Sequence, residues 1–161
     1  MRLTLALLAV LALAAACSPQ TGAAGPAASS SAPAAHPASG LPVIALTVGS
    51  AGRQHRFRVE VARSAAEQSK GLMFRTAMGA DEGMIFPMEP PRSASFWMKN
   101  TVIPLDIIFI GSDRRILNIA ANTVPYSESP VPSAGPAAAV LELVGGRAAQ
   151  LGIAPGDQAA W

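Results

Sequence analysis

The chain has 161 residues, enough for one domain of ordinary size, and its 50% hydrophobic content is inflated by alanine before residue 40. A net charge of +2, falling to +1 once Arg2 is removed with an export signal, gives no field to gather nucleic acid, so no nucleic-acid partner is expected. The single cysteine, Cys17, excludes an intrachain disulfide and any cysteine nucleophile or metal centre within the domain.

Met1-Arg2 opens the chain with a positive charge, and Leu3 to Ala16 is apolar except for Thr4. That run is shorter than the roughly 20 residues a membrane-spanning helix needs, but it has the length of a signal-peptide core. Leu13-Ala14-Ala15-Ala16-Cys17 resembles a lipobox, with Ala14 where leucine is commoner. Residues 1–16 are therefore expected to be a lipoprotein signal peptide, and Cys17 the acylated N-terminus that joins the protein to a membrane. Ordinary cleavage after Ala14-Ala15-Ala16 is the alternative. Ser18 lacks the acidic character that favours inner-membrane retention in enteric bacteria, which points to the outer membrane, facing the periplasm. Ser18 to Gly40 is alanine, proline, serine and glycine almost throughout, too poor in large apolar groups to fold, so residues 17–40 are expected to form a tether. His36 within it reads as incidental.

Residues 41–161 are expected to form one β-rich domain. Val43 to Val48 reads as a strand, with a turn at Gly49-Ser50-Ala51-Gly52. Phe57, Val59 and Val61 then alternate with Arg56, Arg58 and Glu60, a half-buried strand with a solvated charged face. Ser64 and Glu67 form a capping box that opens a short helix to about Met73, limited by Gly71. Further strands are expected at Met84 to Met88, Ala94 to Lys99, Leu105 to Ile110, Ile116 to Ala121 and Ala138 to Val144, with a proline-rich loop over Pro125 to Pro136. Arg147 to Leu151 reads as a helical turn stopped by Gly152. Ala154-Pro155-Gly156-Asp157 reads as a type II turn before a last strand, Gln158 to Trp161. The fold class is mostly β, an antiparallel sandwich or barrel-like sheet with one or two short helices.

The densest chemical signal is Phe96 to Thr101 followed by Pro104-Leu105-Asp106. If the flanking strands pair as a hairpin, Lys99 faces Asp106 and Trp97 faces Ile108, all on one surface. Asp106 is conspicuous in an apolar run and should have a partner. One reading makes Lys99 and Asp106 a register-fixing ion pair. The functional reading is a small-ligand or peptide site, with Trp97 as platform and Arg75, Lys99, Asn100 and Asp106 as polar contacts. An alternative is an envelope hydrolase or other enzyme using Lys99 and Asp106 as acid and base. Met73, Met78, Met84, Met88 and Met98 crowd one region, but without a Met-x-x-Met ladder or adjacent histidine they read as core filler rather than a Cu(I) site. No metal or cofactor is expected, and no catalytic motif is present in the sequence order.

Gly71-Leu72-Met73-Phe74-Arg75, Gly83-Met84-Ile85-Phe86, Phe96-Trp97-Met98-Lys99-Asn100-Thr101, Pro104-Leu105-Asp106 to Ile110, Val140-Leu141-Glu142-Leu143, Gly145-Gly146 and Gly156-Asp157 occur in this order. The series resembles the family catalogued as domain of unknown function 192, also called uncharacterised protein family 0127, across nearly all of Val43 to Trp161. The resemblance implies a compact, mostly β domain, often exported, and brings no activity with it. Relatives often hold a cysteine near Ser129 to Pro132, where this chain has Val131, so no thiol role transfers. The expectation from the sequence is thus an envelope lipoprotein whose domain binds a small ligand or an envelope protein.

Overall fold

A computed structural model describes residues 34–161 of the chain; the signal peptide, Cys17 and most of the tether lie outside the described residues. Seven strands and two short helices follow one another as β1 (Val43–Ser50), β2 (Arg53–Val61), α1 (Ala65–Lys70), β3 (Glu82–Phe96), β4 (Leu105–Ile110), β5 (Ile116–Ala120), β6 (Val131–Val144), α2 (Arg147–Leu151) and β7 (Gln158–Ala160). All seven strands belong to one sheet in the order β5-β4-β6-β3-β2-β1-β7. The pairs are antiparallel except β2 with β3, which is parallel because the connection through α1 crosses back over the sheet. The sheet is therefore mixed rather than wholly antiparallel. Its two edges meet: Arg115 bridges Gln158, and Ile116 donates its N–H to the Asp157 carbonyl at 2.9 Å. The mostly β, barrel-like expectation is met by a curled sheet whose edge strands touch.

Curling gives the sheet an inner and an outer face, and both are buried over the central strands. Phe57, Val59, Ile85, Ile108 and Leu141 fill the inner cluster, together with Ala148 from α2. Met84, Phe86, Ile107, Phe109 and Val140 form the outer cluster, capped by Leu72 and Met98 from the connections. Burial on both faces explains why every residue of β4 is buried and why the strand reads as apolar apart from Asp106. Met84, Met88 and Met98 all pack in the outer cluster, so they are core residues.

Several local expectations hold. Ser64 accepts the Glu67 N–H at 3.2 Å, and the Glu67 carboxylate accepts the N–H groups of Ser64 and Arg63, each at 2.8 Å. These bonds, that from the Ser64 N–H first, hold the Glu67 carboxyl below its usual range. The helix ends at Lys70, where Gly71 takes a positive φ of 46°. A side chain at Gly71 would press on the Phe86 ring, so the glycine also lets α1 sit close over β3.

Three expectations are corrected. Ala94 to Phe96 is the continuation of β3, past an irregularity between Pro87 and Arg92, and pairs with β6 rather than β4. Residues 97–104 lie outside the strands, and β4 stands on the far side of β6, so the hairpin that would face Lys99 with Asp106 does not form. The prolines of 131–136 are accommodated in β6 where its neighbour β4 has ended, so fewer ladder bonds are demanded of them. Glu60, read as solvated, is buried, because Arg75, Ser39 and His36 cover the outer face at that point.

Candidate functional site

The outer face carries a row of side chains across neighbouring strands: Glu60 lies opposite Met84, and Met84 opposite Glu142. The two carboxylates differ in their partners. Arg75 reaches Glu60 through both terminal guanidinium nitrogens, at 2.9 and 3.1 Å, and Ser39 and His36 close around it. Glu142 has no ion-pair or hydrogen-bond partner among the described residues. It is 4% exposed, on a surface of Met84, Ile107 and Phe86. Desolvation pushes its carboxyl up to about 8, so at neutral pH it keeps its proton.

Glu142 is not sealed in. It reaches the floor of a cleft of about 480 Å³ on the outer face, walled by Phe86, Met88 and Phe96, with Trp97 and Lys99 at the rim. Phe86 and Phe96 meet edge to face with centroids 5.1 Å apart, which fixes the wall. Helix α1 forms the opposite side, held by the Gln68 side-chain amide, which donates to the carbonyls of Ala62 and Pro87 at 3.2 and 2.9 Å. Lys70 and Arg92 also line the opening, and no carboxylate lies within salt-bridge distance of either among the described residues. A protonated carboxylic acid on this floor can donate a hydrogen bond to an anionic guest, whose charge the cations at the opening balance and whose body lies against the aromatic wall.

The five candidate residues from the sequence are dispersed. Trp97 and Lys99 stand together at the cleft rim, the ammonium 5.2 Å from the ring centroid and 3.7 Å from Glu128. Arg75 is committed to Glu60. Asn100 holds a left-handed turn at φ 53°, its amide 3.8 Å from the Met73 sulfur. Asp106 is completely buried and its carboxylate accepts three backbone N–H groups, from Asn122 at 2.7 Å, Gly146 at 2.9 Å and Ala148 at 2.7 Å. It therefore clamps the loop after β5 and the start of α2 onto β4. Lys99 and Asp106 cannot work as an acid–base pair, since one is at the surface and the other is spent inside the fold. The partner that Asp106 required is the backbone.

Sequence reading missed Glu142, although the signal was the one that singled out Asp106: a lone charge inside an apolar strand, Val140-Leu141-Glu142-Leu143-Val144. Among the described residues no cluster of histidine, cysteine, aspartate and glutamate could hold a metal ion.

The fold and the cleft together define a small β-domain class without an assigned chemistry. Residues 46–161 match the profile of DUF192, described as Uncharacterized ACR, COG1430, and the chain belongs to this family. Two crystal structures share the fold. One, of a protein of unknown function from Novosphingobium aromaticivorans DSM 12444, is 61% identical with a TM-score of 0.79, covering 82% of this chain and 94% of that one. The other, of a putative transcription regulator from Sinorhizobium meliloti 1021, is 40% identical with a TM-score of 0.73, covering 74% and 94%. No curated protein matches the chain significantly.

Proposed function

We propose that the chain is an exported lipoprotein, anchored through Cys17 to the cell envelope with its domain in the periplasm, and that the domain binds a small organic anion in the outer-face cleft. The observation that carries the binding reading is Glu142, a buried carboxyl with no protein partner on the floor of an open cleft. Burying a polar group without a partner costs stability, and a ligand that completes it recovers that cost. The rim supplies the sign: Lys70, Arg92 and Lys99 attract an anion, and Trp97 and Phe96 offer flat apolar surface for its body. The apolar run before Cys17, and the alanine- and proline-rich stretch after it, support the envelope reading.

The test is a thermal-shift screen of the mature chain against mono- and dicarboxylates, uronic acids and sugar phosphates at pH 6.5 and pH 9. A member of the panel should raise the melting temperature at pH 6.5 and lose its effect at pH 9, where ionised Glu142 repels it. Glu142→Gln, which mimics the protonated acid, should retain binding at both values. Lys99→Ala and Arg92→Ala should weaken it without moving the unliganded melting temperature. A blank panel, or binding indifferent to both cation substitutions, refutes the anion site.

A further inference from the structure

Four large hydrophobic side chains are exposed among the described residues: Phe74 at 67%, Trp97 at 48%, Val124 at 70% and Tyr126 at 60%. They are far apart in sequence but sit on three segments bonded side by side. The Phe74 N–H donates to the Asn100 carbonyl at 2.9 Å, and the Tyr126 N–H donates to the Thr101 carbonyl at 3.1 Å. The Met98 N–H donates to the Ser127 carbonyl at 2.8 Å. Phe74 and Tyr126 also hold left-handed backbone conformations, φ 63° and 62°, on either side of Asn100 at φ 53°. Bulky residues seldom adopt this region, and doing so costs stability. Packing does not account for the conformation at Phe74 or Tyr126, whose rings stand in solvent. The left-handed backbone at Phe74 and Tyr126 thus holds two aromatic rings in solvent on segments bonded to that of Trp97.

We propose that this end of the domain docks on the surface of a lipid bilayer. Trp, Tyr and Phe with a neighbouring Lys, here Lys99, are the residue types that settle at the boundary between headgroups and acyl chains. The position of the chain's entry favours a membrane over a protein. His36 lies 3.5 Å from Arg75, the residue after Phe74, and the Ala34 carbonyl accepts the Val43 N–H, so the leading segment joins the fold beside the aromatic face. From Cys17 to Pro33 there are only seventeen residues, a reach of at most roughly 55 Å, so an anchor at Cys17 holds this face near the bilayer at high effective concentration. The proposal rests on the anchoring reading given above. Docking would also set the cleft rim, which shares Trp97 and Lys99, against the headgroups.

The test replaces the acyl anchor with an artificial one. The mature chain from Ser18 carries an N-terminal histidine tag and is captured on phosphatidylethanolamine–phosphatidylglycerol vesicles containing a nickel-chelating lipid. Trp161→Phe leaves Trp97 as the only tryptophan. Brominated acyl chains should quench Trp97 emission roughly twofold relative to plain lipid, because a ring at the interface lies within contact range of the bromines. The pair Phe74→Asn and Tyr126→Asn, both tolerant of positive φ, should restore the emission. Equal emission on brominated and plain vesicles overturns the proposal, as does quenching that survives the double substitution. An unquenched Trp97 together with a single protein crosslinked from position 74 in cells overturns it in favour of a protein partner. The anchor itself is read separately, by palmitate labelling that Cys17→Ser should abolish; its failure leaves the vesicle result standing.

Discussion

Asp106 and Glu142 each interrupt an apolar strand, and what surrounds them gives the two acids opposite properties. The Asp106 carboxylate meets three backbone N–H groups, whereas Glu142 meets Met84, Ile107 and the cleft, and burial without a partner raises its pKa. The sign for stability follows from the raised pKa of Glu142. Between about 4.5 and about 8 the native state keeps a proton that the unfolded chain has released, so rising pH favours unfolding across that window. Stability should fall by at most about 1.4 kcal/mol per pH unit over this range and level off above it. Glu142→Gln removes the titration. Urea unfolding from pH 5 to pH 8.5 should show the variant overtaking the wild type as pH rises, and parallel curves would mean that the Glu142 carboxyl is not held protonated. Sequence alone displays both acids as anomalies. It does not tell them apart, because the difference lies in donors more than a dozen residues away.

At the scale of elements, the connection from Phe96 to Leu105 shows where short-range reasoning fails. Two apolar strands separated by a turn-like stretch read as a hairpin, yet the flanking strands pair with β6 from opposite sides. The interposed strand comes from 35 residues beyond Phe96, and no local pattern announces it. Long-range tethers fix the arrangement instead: Thr123 bonds the Leu105 carbonyl at 2.8 Å and the buried Met98 sulfur at 3.0 Å, and Asp106 ties β4 to α2. Local signals succeed where the chemistry is local, as in the capping box at Ser64 and the glycine stop at Gly71. Asp106→Asn keeps the shape of the side chain, but with its oxygen toward Asn122 and Gly146 it sets an N–H donor where Oδ2 accepts the Ala148 N–H. It should cost about 3 kcal/mol, since charge-assisted buried bonds are lost and a donor is left facing donors. Chemical denaturation measures that cost. Lys99→Ala, which breaks an exposed pair with Glu128 and the contact with the exposed Trp97 ring, should cost less than about 1 kcal/mol. A reversal of these magnitudes would restore Lys99 as a structural residue.

For the whole molecule, the strand-rich pattern with turn signals is enough to expect a curled β fold, but not which edges meet. Closure is made by the last residues of the chain. The Ala159 N–H donates to the Arg114 carbonyl at 2.9 Å, and the Arg114 guanidinium stacks over Trp161 at 3.6 Å from the ring centroid. Ser50 at the end of β1, next to the edge strand β7, donates its hydroxyl to the Gly152 carbonyl at 2.6 Å, tying that side of the sheet to the segment after α2. Trp161 packs against the inner cluster, so its ring both covers the seam and adds apolar burial. Two open edges in place of this seam would present unpaired strand groups to other molecules. Trp161→Ala should therefore lower stability by about 2 kcal/mol, through lost aromatic burial and the lost cation–π contact. For a domain of this length that corresponds to a drop in melting temperature of several degrees. The cleft is built on the opposite face of the sheet from the inner cluster that Trp161 joins, and none of its lining comes from β7. Anion binding at temperatures below the new transition should therefore remain at the wild-type level. If binding falls while circular dichroism shows the strands unchanged, the outer-face site depends on the curvature that the seam imposes.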